Sequence, residues 1–303
     1  MNRALIVGSA GQDGRILDTQ LRARGVVVTG IDRGDVSLAD REAVCVAVRA
    51  CAPDAVYYLA AHHHSSEESA DDDVVVLRES LDVHVHGLAH VLDALRETPA
   101  RLFHAASSHV FGRPGVPLQN EATPRMAINV YGMTKSLGMD LVRHYRDAHG
   151  VHASSGILYN HESVLRGESF VTTRLVRGAR QAAAARARGE ILRIEVGSLS
   201  AVVDWGWAPD YTDAMQRIVQ ADTPDDYVVA TGVAHSVGDF ARIAFAAVGL
   251  DAGDHVVEQA GRVKKPSATL VGDASKLRGR LGWSPSVTFE DMVTRWVRGE
   301  FER

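Results

Sequence analysis

The stretch A-L-I-V-G-S-A-G-Q-D-G, residues Ala4–Gly14, decides the fold of this chain. Its first four residues are apolar and predict a short buried strand, and Gly8, Gly11 and Gly14 follow with the spacing G-x-x-G-x-x-G. A helical spacing of apolar residues then continues to Leu21. A strand, a glycine turn and a helix in this order are typical of a dinucleotide site, because the turn lets the backbone approach a pyrophosphate at the N-terminus of the helix.

The second predicted strand, residues 26–31, ends in Asp32. A carboxylate at this point usually accepts hydrogen bonds from the adenine ribose, which favours NAD. Arg33 follows it and is suited to the 2′-phosphate of NADP, so NADP stays open as the alternative cofactor. The competing interpretation of Asp32 is a simple turn residue before Gly34.

Strands and helices keep alternating, and further strands are predicted over residues 55–61, 102–106, 155–159 and 227–231. This alternation predicts a parallel sheet with helices on both faces. We therefore expect an α/β protein with a Rossmann-type, doubly wound parallel sheet and a smaller C-terminal substrate-binding domain. The dinucleotide-binding domain is predicted to cover residues 1–163, with 198–232 contributing, and the substrate-binding part to cover 164–197 and 233–303.

Composition and charge disfavour several classes of partner. The 303 residues carry a formal net charge of −5, which gives no broad attraction to nucleic acid or to an anionic membrane. No apolar run is long enough to span a bilayer, and the chain enters its first strand without a signal-peptide pattern, so we expect a cytoplasmic protein. Cys45 and Cys51 lie on different faces of one predicted helix, so no disulfide is expected.

Tyr131 and Lys135 stand four residues apart in Y-G-M-T-K, within a predicted helix that runs to His149. Positions i and i+4 share a helix face. An ammonium beside a phenol favours the phenolate, so we expect the pKa of Tyr131 to be lowered towards the working pH. Ser107, after a predicted strand, is the hydroxyl that would polarise the same substrate oxygen. These three residues are predicted to be catalytic.

Six stretches carry a resemblance to a known family: G-Q-D-G at Gly11, Y-L-A-A-H-H-H at Tyr58, G-I-L-Y-N-H-E-S at Gly156, R-G-E-S-F-V-T at Arg166, D-W-G-W-A-P-D-Y at Asp204 and V-G-D-A-S-K at Val271. On these motifs the chain resembles the extended short-chain dehydrogenase/reductases and, within them, the GDP-mannose 4,6-dehydratases. The resemblance covers nearly the whole chain. N-H-E-S followed by R-G-E-x-F-V is particular to the dehydratase group.

The resemblance implies a lyase with a nicotinamide cofactor that is reduced and reoxidised within one cycle. Tyr131 would be the base for oxidation at carbon 4 of the sugar, with Lys135 as its partner and Ser107 at the family's threonine position. The implied substrate is a nucleotide sugar, with predicted contacts from His64, Ser108, Asn160, Arg166, Arg174 and Lys265. The residues predicted to bind the cofactor are Gly8, Gly11, Gln12, Asp13, Gly14, Asp32, Arg33, Ala60, Tyr131 and Lys135.

The family pattern breaks at His109, in the stretch A-S-S-H-V-F-G of residues 106–112. The dehydratases have a glutamate there, which removes the proton from carbon 5 and then helps water to leave. Histidine titrates near neutrality and can in principle perform both duties, so His109 is predicted to be catalytic. A polar contact without proton transfer is the other interpretation.

Two other departures bear on the cofactor and the assembly. The segment after Arg33 is much shorter than in the family, where it carries arginines for the 2′-phosphate and joins a tetramer contact. Its loss favours NAD and a homodimer. Val203 stands where the family has an arginine before D-W-G, so one contact with the sugar nucleotide is missing.

The three adjacent histidines at residues 62–64 invite a metal interpretation, but strand side chains alternate faces, so no metal is predicted. Three functions then stay open. The first is a 4,6-dehydratase-like lyase acting on a GDP-hexose or related sugar nucleotide. The second is a nucleotide-sugar 4-ketoreductase or epimerase that needs only Ser107, Tyr131 and Lys135. The third is a catalytically idle dinucleotide sensor, which the intact tyrosine–lysine pair argues against.

Overall fold

Eleven strands lie in the part of the chain that the computed structural model describes, which is residues 1–62, 73–259 and 269–302. In chain order they are Arg3–Val7 (β1), Val27–Ile31 (β2), Ala55–Tyr58 (β3), Arg101–Ser107 (β4), His152–Leu158 (β5), Asn160–Glu162 (β6), Ile194–Val196 (β7), Val202–Trp207 (β8), Asp226–Val229 (β9), Ala234–Ser236 (β10) and Val256–Glu258 (β11).

Six of these strands form the central sheet in the order β2-β1-β3-β4-β5-β9. Every pairing in this sheet is parallel, and Val7 pairs with Ile31 on one side and with Tyr58 on the other. Strand β2 lies on one side of β1 and strand β3 on the other, so the strand order reverses direction at β1, as expected for a doubly wound sheet. The predicted α/β fold with a parallel sheet is therefore confirmed.

The described residues also hold eleven α-helices: Gln12–Ala23 (α1), Arg41–Cys51 (α2), Asp73–Leu81 (α3), Gly87–Leu95 (α4), Val130–His149 (α5), Val171–Arg186 (α6), Ala208–Gln220 (α7), Val237–Ala246 (α8), Ala252–His255 (α9), Ser275–Leu281 (α10) and Phe289–Val297 (α11). A π-helical turn, Asp82–His86, joins α3 to α4, and a 3-10 turn, Ser108–Phe111, follows β4. Asp40 is the N-cap of helix α2, and its side chain accepts the Ala43 N–H at 3.1 Å.

Both faces of the central sheet are covered by helices because successive strand residues point to opposite sides. In β1, Ala4 and Ile6 pack in one core with Leu17 of α1. Leu5 and Val7 pack in the core on the other face, together with α2 and α4. The free thiols of both cysteines agree with the expectation of no disulfide.

A separate core lies among α6, α8 and α11. Trp205 and Trp207 belong to it, and each stacks on a phenylalanine: Trp205 on Phe289 with ring centroids 5.9 Å apart, Trp207 on Phe301 at 4.0 Å. Both tryptophans therefore serve packing. No helix among the described residues has the length and apolarity to span a membrane.

The sequence did not predict the short strands β6, β8 and β10, which form a second sheet in the order β10-β8-β6. Strand β6 has only three residues and follows β5 after a single residue, so no alternating pattern marks it. This small sheet places the N-H-E-S motif, which begins at Asn160, next to the D-W-G-W motif of β8.

Candidate active site

The candidate site lies at the carboxyl end of the central sheet. Gly8 follows β1, Ala60 follows β3, and Ser107 ends β4. The N-terminus of α5, which carries Tyr131, packs against the 3-10 turn after β4. In open parallel sheets ligands bind outside the carboxyl ends of the strands, so the topology brings the predicted residues to the expected edge.

The glycine turn has the tight backbone that a dinucleotide site requires. Gly8 has φ +93°, and a Cβ there would lie 2.8 Å from the Ala60 nitrogen. A Cβ on Gly14 would lie 2.6 Å from the Ser9 Cα. Gly11 is different, because its Cβ would meet the protein only at 3.5 Å, so the space beside it is open. The turn and the N-terminus of α1 fit an anionic pyrophosphate.

The Asp32 carboxylate supports the same turn. It accepts hydrogen bonds from the Ser9 hydroxyl and from the Ala10 N–H, the latter at 2.9 Å. Arg33 is exposed. Asp32 therefore has a structural task in the turn, and its contact with an adenine ribose stays a prediction.

Gln12 and Asp13 join the glycine turn to the N-H-E-S motif. Asp13 Oδ2 lies 2.9 Å from His161 Nε2, and the Gln12 amide donates to the His161 carbonyl at 3.2 Å. Ser163 donates to Gln12 Oε1 at 2.9 Å. His161 also stacks on Tyr211, with centroids 4.4 Å apart. Sequence reasoning assigned Gln12 and Asp13 to the cofactor and missed His161, because 148 residues separate the pair.

Asp13 and His161 form a buried ion pair. Burial alone would raise the pKa of Asp13, but the neighbouring His161 outweighs it and holds this pKa below its ordinary value. Burial likewise opposes the charge of His161, yet Asp13 raises the pKa of this imidazole above its ordinary value. His161 Nδ1 also donates to the Tyr159 carbonyl at 2.7 Å, so both ring nitrogens of the imidazolium are used.

Asp13→Asn should lower the free energy of unfolding by about 3 kcal/mol near pH 5.5, because it removes one member of a buried pair. The raised pKa of His161 stabilises the fold below pH 6.5 and loses that effect as the pH rises through the folded-state pKa. The lowered pKa of Asp13 stabilises it above pH 3.8 and is lost as the pH falls. The deficit should therefore be largest between these values, as measured by denaturant unfolding.

Asp18→Asn is the matched control, since Asp18 lies on the same helix in an exposed pair with Arg22 at 2.9 Å. An exposed pair contributes less than about 1 kcal/mol, so this variant should unfold almost as the wild type does. Equal losses for the two variants, or a deficit of Asp13→Asn that grows above pH 8, would contradict the buried-pair account.

The Tyr131 phenol shares a hydrogen bond with the Ser107 side chain. The predicted lowering of its pKa is wrong for this structure, because burial raises the pKa of Tyr131 to about 12 and the Ser107 contact only partly offsets the rise. Lys135 does not compensate. Its Nζ lies 5.9 Å from the Tyr131 ring centroid and donates to the Ala105 carbonyl at 2.8 Å. Helical spacing placed the two side chains on one face but did not show where the ammonium would bind.

Lys135 is itself almost fully buried, with 1% of its surface exposed. Burial lowers the pKa of its amine to about 7. The amine is therefore divided between its charged and neutral forms at neutral pH, which suits a group that passes charge to and from a neighbour during a reaction.

Lys135→Met should stabilise the dinucleotide-free protein while impairing the site. The drop in pKa from 10.5 to about 7 corresponds to roughly 5 kcal/mol against the charged form. Loss of the bond to Ala105 offsets part of this, so we expect a gain of roughly 2–4 kcal/mol at pH 6. Because the folded-state pKa is lowered, the gain should shrink as the pH rises from 7 to 10.5.

Lys276→Met serves as the control in the same unfolding series. Lys276 is partly exposed, forms an ion pair with Asp225 at 2.7 Å and donates to the Asp226 carbonyl at 2.8 Å. Its replacement should bring no stabilisation. If the Lys135→Met protein is less stable than the wild type at pH 6, burial of the charged amine does not destabilise the fold.

His109 stands beside Tyr131, with the two rings edge to face and their centroids 5.6 Å apart. The backbone N–H of His109 donates to Ser107 Oγ at 3.3 Å, and the ring nitrogen Nδ1 lies 3.3 Å from the Asn129 amide nitrogen. Burial lowers the pKa of the His109 imidazole. The structure thus brings together the four predicted catalytic residues, and their catalytic roles stay predictions.

A second histidine also lies beside the Tyr131 ring. His84 is fully buried, and its ring is edge to face with Tyr131 at a centroid distance of 5.4 Å. Its Nε2 accepts the His62 N–H at 2.9 Å, and its Nδ1 lies 2.8 Å from Thr134 Oγ1. His62 pairs with Glu79 at 3.2 Å. Within the described ranges, no three histidine, cysteine or carboxylate side chains are grouped as a metal site.

Four of the six predicted substrate residues lie in the described part of the chain. Ser108 is buried in the 3-10 turn, Asn160 starts β6, and Arg174 lies in the first turn of α6. Arg166 has its guanidinium 3.7 Å from the Phe170 ring centroid, with Nε 3.4 Å from Glu162. Their substrate contacts stay predictions. Two further predicted contacts, His64 and Lys265, lie outside the described residues.

Known proteins share this chain's sequence and fold. The family model described as GDP-mannose 4,6 dehydratase matches residues 34–296. A Caenorhabditis elegans protein, GDP-mannose 4,6 dehydratase 2, is 33% identical over 346 residues, which cover 98% of this chain and 88% of the relative.

Solved structures agree in fold at lower identity. The dTDP-glucose 4,6-dehydratase of Bacillus anthracis, in complex with NAD, has a TM-score of 0.82 at 14% identity, covering 98% of this chain and 96% of its own. A Pseudomonas aeruginosa protein named RMD, complexed with NADPH, has a TM-score of 0.81 at 19% identity, with full coverage of both chains. The family match spans most of the chain and the sequence relative is similar throughout, so this chain belongs to the GDP-mannose 4,6-dehydratase family.

Proposed function

We propose that this protein is a nucleotide-sugar 4,6-dehydratase acting on a GDP-hexose, with GDP-mannose the first substrate to test. The observation that carries the proposal is the meeting of Ser107, Tyr131 and His109 at the end of β4 in a chain of this family. The relatives named GDP-mannose 4,6-dehydratase support the guanosine preference. The missing arginine at Val203 makes the nucleotide the part of the substrate most in need of a direct test.

The residues at the sheet edge fit a nicotinamide dinucleotide. Gly8 and Gly14 keep the turn tight, while the open space beside Gly11 leaves room for a pyrophosphate. When bound, the dinucleotide supplies a hydride acceptor and a positive charge that favours the phenolate. We propose NAD, because the segment after Arg33 lacks the arginines of the family and because Asp32 follows β2 beside the glycine turn, where a carboxylate usually accepts from the adenine ribose. NADP stays the alternative, since the fold neighbours include an NAD complex and an NADPH complex.

The side chains then divide the chemistry between carbon 4 and carbon 5 of the sugar. Tyr131 takes the proton of the 4-hydroxyl as the carbon is oxidised, while Ser107 holds the same oxygen. The resulting ketone acidifies the hydrogen on carbon 5, and His109 accepts that proton. The same proton passes to the 6-hydroxyl, which leaves as water. The hydride removed from carbon 4 then returns to carbon 6 and carbon 5 takes up a proton, so the products are a 4-keto-6-deoxy sugar and one water, and all atoms balance within one cycle.

The substrate's diphosphate is proposed to meet Asn160, Arg166 and Arg174. An arginine fork suits a phosphate because it offers paired donors in one plane. Arg166 is held by Glu162 and Phe170, so its guanidinium is oriented without the substrate. Ser108, His64 and Lys265 complete the proposed substrate set.

We also propose the domain organisation that the sequence predicts. The sheet cores would carry the dinucleotide, as residues 1–163 with 198–232, and the separate core around α6, α8 and α11 would carry substrate contacts, as residues 164–197 and 233–303. A cytoplasmic location belongs to the same proposal.

The proposed homodimer has a suitable surface on α3 and α5. These helices pack together, and each presents exposed apolar side chains outward: Val74, Val75 and Leu77 on α3, and Met133 and Leu137 on α5. Exposed apolar side chains on two packed helices are typical of a protein interface.

Incubation with GDP-mannose in deuterated water tests the proposed reaction. Mass spectra should show loss of water together with one deuterium gained at carbon 5. UDP- and dTDP-hexoses serve as matched substrates for the nucleotide preference. Turnover of a 4-keto sugar only in the presence of added reduced dinucleotide, with no dehydration of any hexose, would overturn the proposal in favour of a reductase.

A further inference from the structure

The side chain of Asn129 is oriented by the start of α5. Asn129 is the N-cap of this helix, and its Oδ1 accepts the Gly132 N–H at 2.8 Å. A backbone N–H can only donate, so the oxygen of the amide must face Gly132. The amide nitrogen, Nδ2, must therefore be the atom that faces His109. The cap decides which end of the amide the imidazole meets.

The orientation of the amide decides where His109 carries its proton. Nδ2 is a donor without a lone pair for hydrogen bonding, and it lies 3.3 Å from His109 Nδ1. Nδ1 must then accept, which leaves the proton of the neutral ring on Nε2. The neutral ring is the relevant form, because burial lowers the pKa of His109. No described residue donates to or accepts from Nε2, so this nitrogen is the one available to a substrate.

We propose that Asn129 is a positioning residue that holds neutral His109 with its proton on Nε2, and so makes removal of the carbon-5 proton the slow step. This inference rests on the proposed dehydration. A base needs a lone pair on the nitrogen that meets the substrate, so Nε2 can take the proton only from the other tautomer. That tautomer sets two donors, the Nδ1–H and the Asn129 amide, against each other. The tautomer protonated at Nδ1 lacks the hydrogen bond from Asn129 Nδ2 to His109 Nδ1, and this reduces the population of that tautomer about tenfold.

Asn129→Asp is the sharpest test of this arrangement. Aspartate is as good an N-cap as asparagine, so one carboxylate oxygen keeps the Gly132 contact. The other oxygen replaces the amide nitrogen, accepts from the Nδ1–H of His109 and leaves the lone pair on Nε2. We expect deuterium exchange at carbon 5 to accelerate about tenfold, while oxidation at carbon 4 stays within about twofold of the wild type.

The tautomer can also be read without any substrate. Long-range proton–nitrogen correlation spectra of protein labelled with nitrogen-15 in histidine separate a protonated from an unprotonated ring nitrogen. His109→Gln identifies the His109 signals by their loss. The wild type should show His109 protonated at Nε2 and unprotonated at Nδ1. Asn129→Asp should show Nδ1 protonated.

Asn120→Asp is the matched control, because Asn120 is exposed and its Oδ1 likewise accepts a backbone N–H, that of Ala122 at 3.0 Å. This variant makes the same chemical change away from His109 and should leave both the spectrum and the exchange rate unchanged. A wild-type spectrum with His109 protonated at Nδ1 would overturn the inference. An Asn129→Asp spectrum in which the His109 signals are the same as in the wild type would also overturn it. The spectra are recorded without substrate, so they test the tautomer even if no nucleotide sugar is dehydrated. Failure of the proposed function is therefore distinguishable from failure of this inference.

Discussion

Tyr131→Phe should lower turnover of a GDP-hexose by about 10²- to 10⁴-fold, the usual loss when a positioned acid–base group is removed. The phenolic hydroxyl is the only group that is deleted, and phenylalanine fills the same space beside His84 and His109. Oxidation at carbon 4 begins the reaction, so every later step should fall with it. Product formation followed by mass spectrometry measures the loss.

Tyr145→Phe is the control for this prediction. Tyr145 lies on the same helix, away from the sheet edge, and contacts His144 with ring centroids 5.8 Å apart. Its replacement should leave turnover within about twofold of the wild type. Equal activity of Tyr131→Phe and Tyr145→Phe would show that the Tyr131 phenol takes no part in proton transfer.

His109→Ala should separate the two halves of the reaction. Dehydration should fall by about 10²- to 10⁴-fold, because the group that handles the carbon-5 proton is gone. Oxidation at carbon 4 should persist, since Ser107 and Tyr131 keep their contact. Trapping with borodeuteride should then capture the 4-keto sugar with its 6-hydroxyl still present.

His109→Glu completes this pair of variants. It introduces the carboxylate that the family resemblance implies at this position, and the Asn129 amide that faces position 109 can donate to it. Dehydration should therefore recover most of the activity lost in the alanine variant. If the alanine variant dehydrates GDP-mannose as fast as the wild type, His109 is a polar contact and not the base.

The fold was predictable because local signals agreed with one another. The turn from Gly8 to Gly14 admits little beyond glycine, since Cβ atoms at both ends would collide with backbone, and such a turn has a recognisable spacing. Asp40 marked the start of α2 by the preference of its side chain for a cap. The three-residue strands β6 and β10 gave no signal, because their partners lie far along the chain.

The sequence predicted which candidate catalytic residues lie close together, but it did not predict much of their electrostatics. Spacing along a helix placed Tyr131 and Lys135 on one face, yet the pKa of Tyr131 depends on burial and on the acceptor that Lys135 finds in Ala105. The Asp13–His161 pair joins residues from distant motifs, so neither motif alone reveals it. Likewise, the residue that sets the His109 tautomer could be found only once α5 and its cap were placed.

A label on the substrate tests the central claim, that one site oxidises carbon 4 and then eliminates water across carbons 5 and 6. GDP-mannose carrying deuterium at carbon 4 should yield a dehydrated 4-keto product with that deuterium at carbon 6, because the hydrogen removed first is the one returned last. A second deuterium should appear at carbon 5 when the solvent is deuterated. Label that is lost to solvent, or that stays at carbon 4 of an undehydrated sugar, would contradict the account.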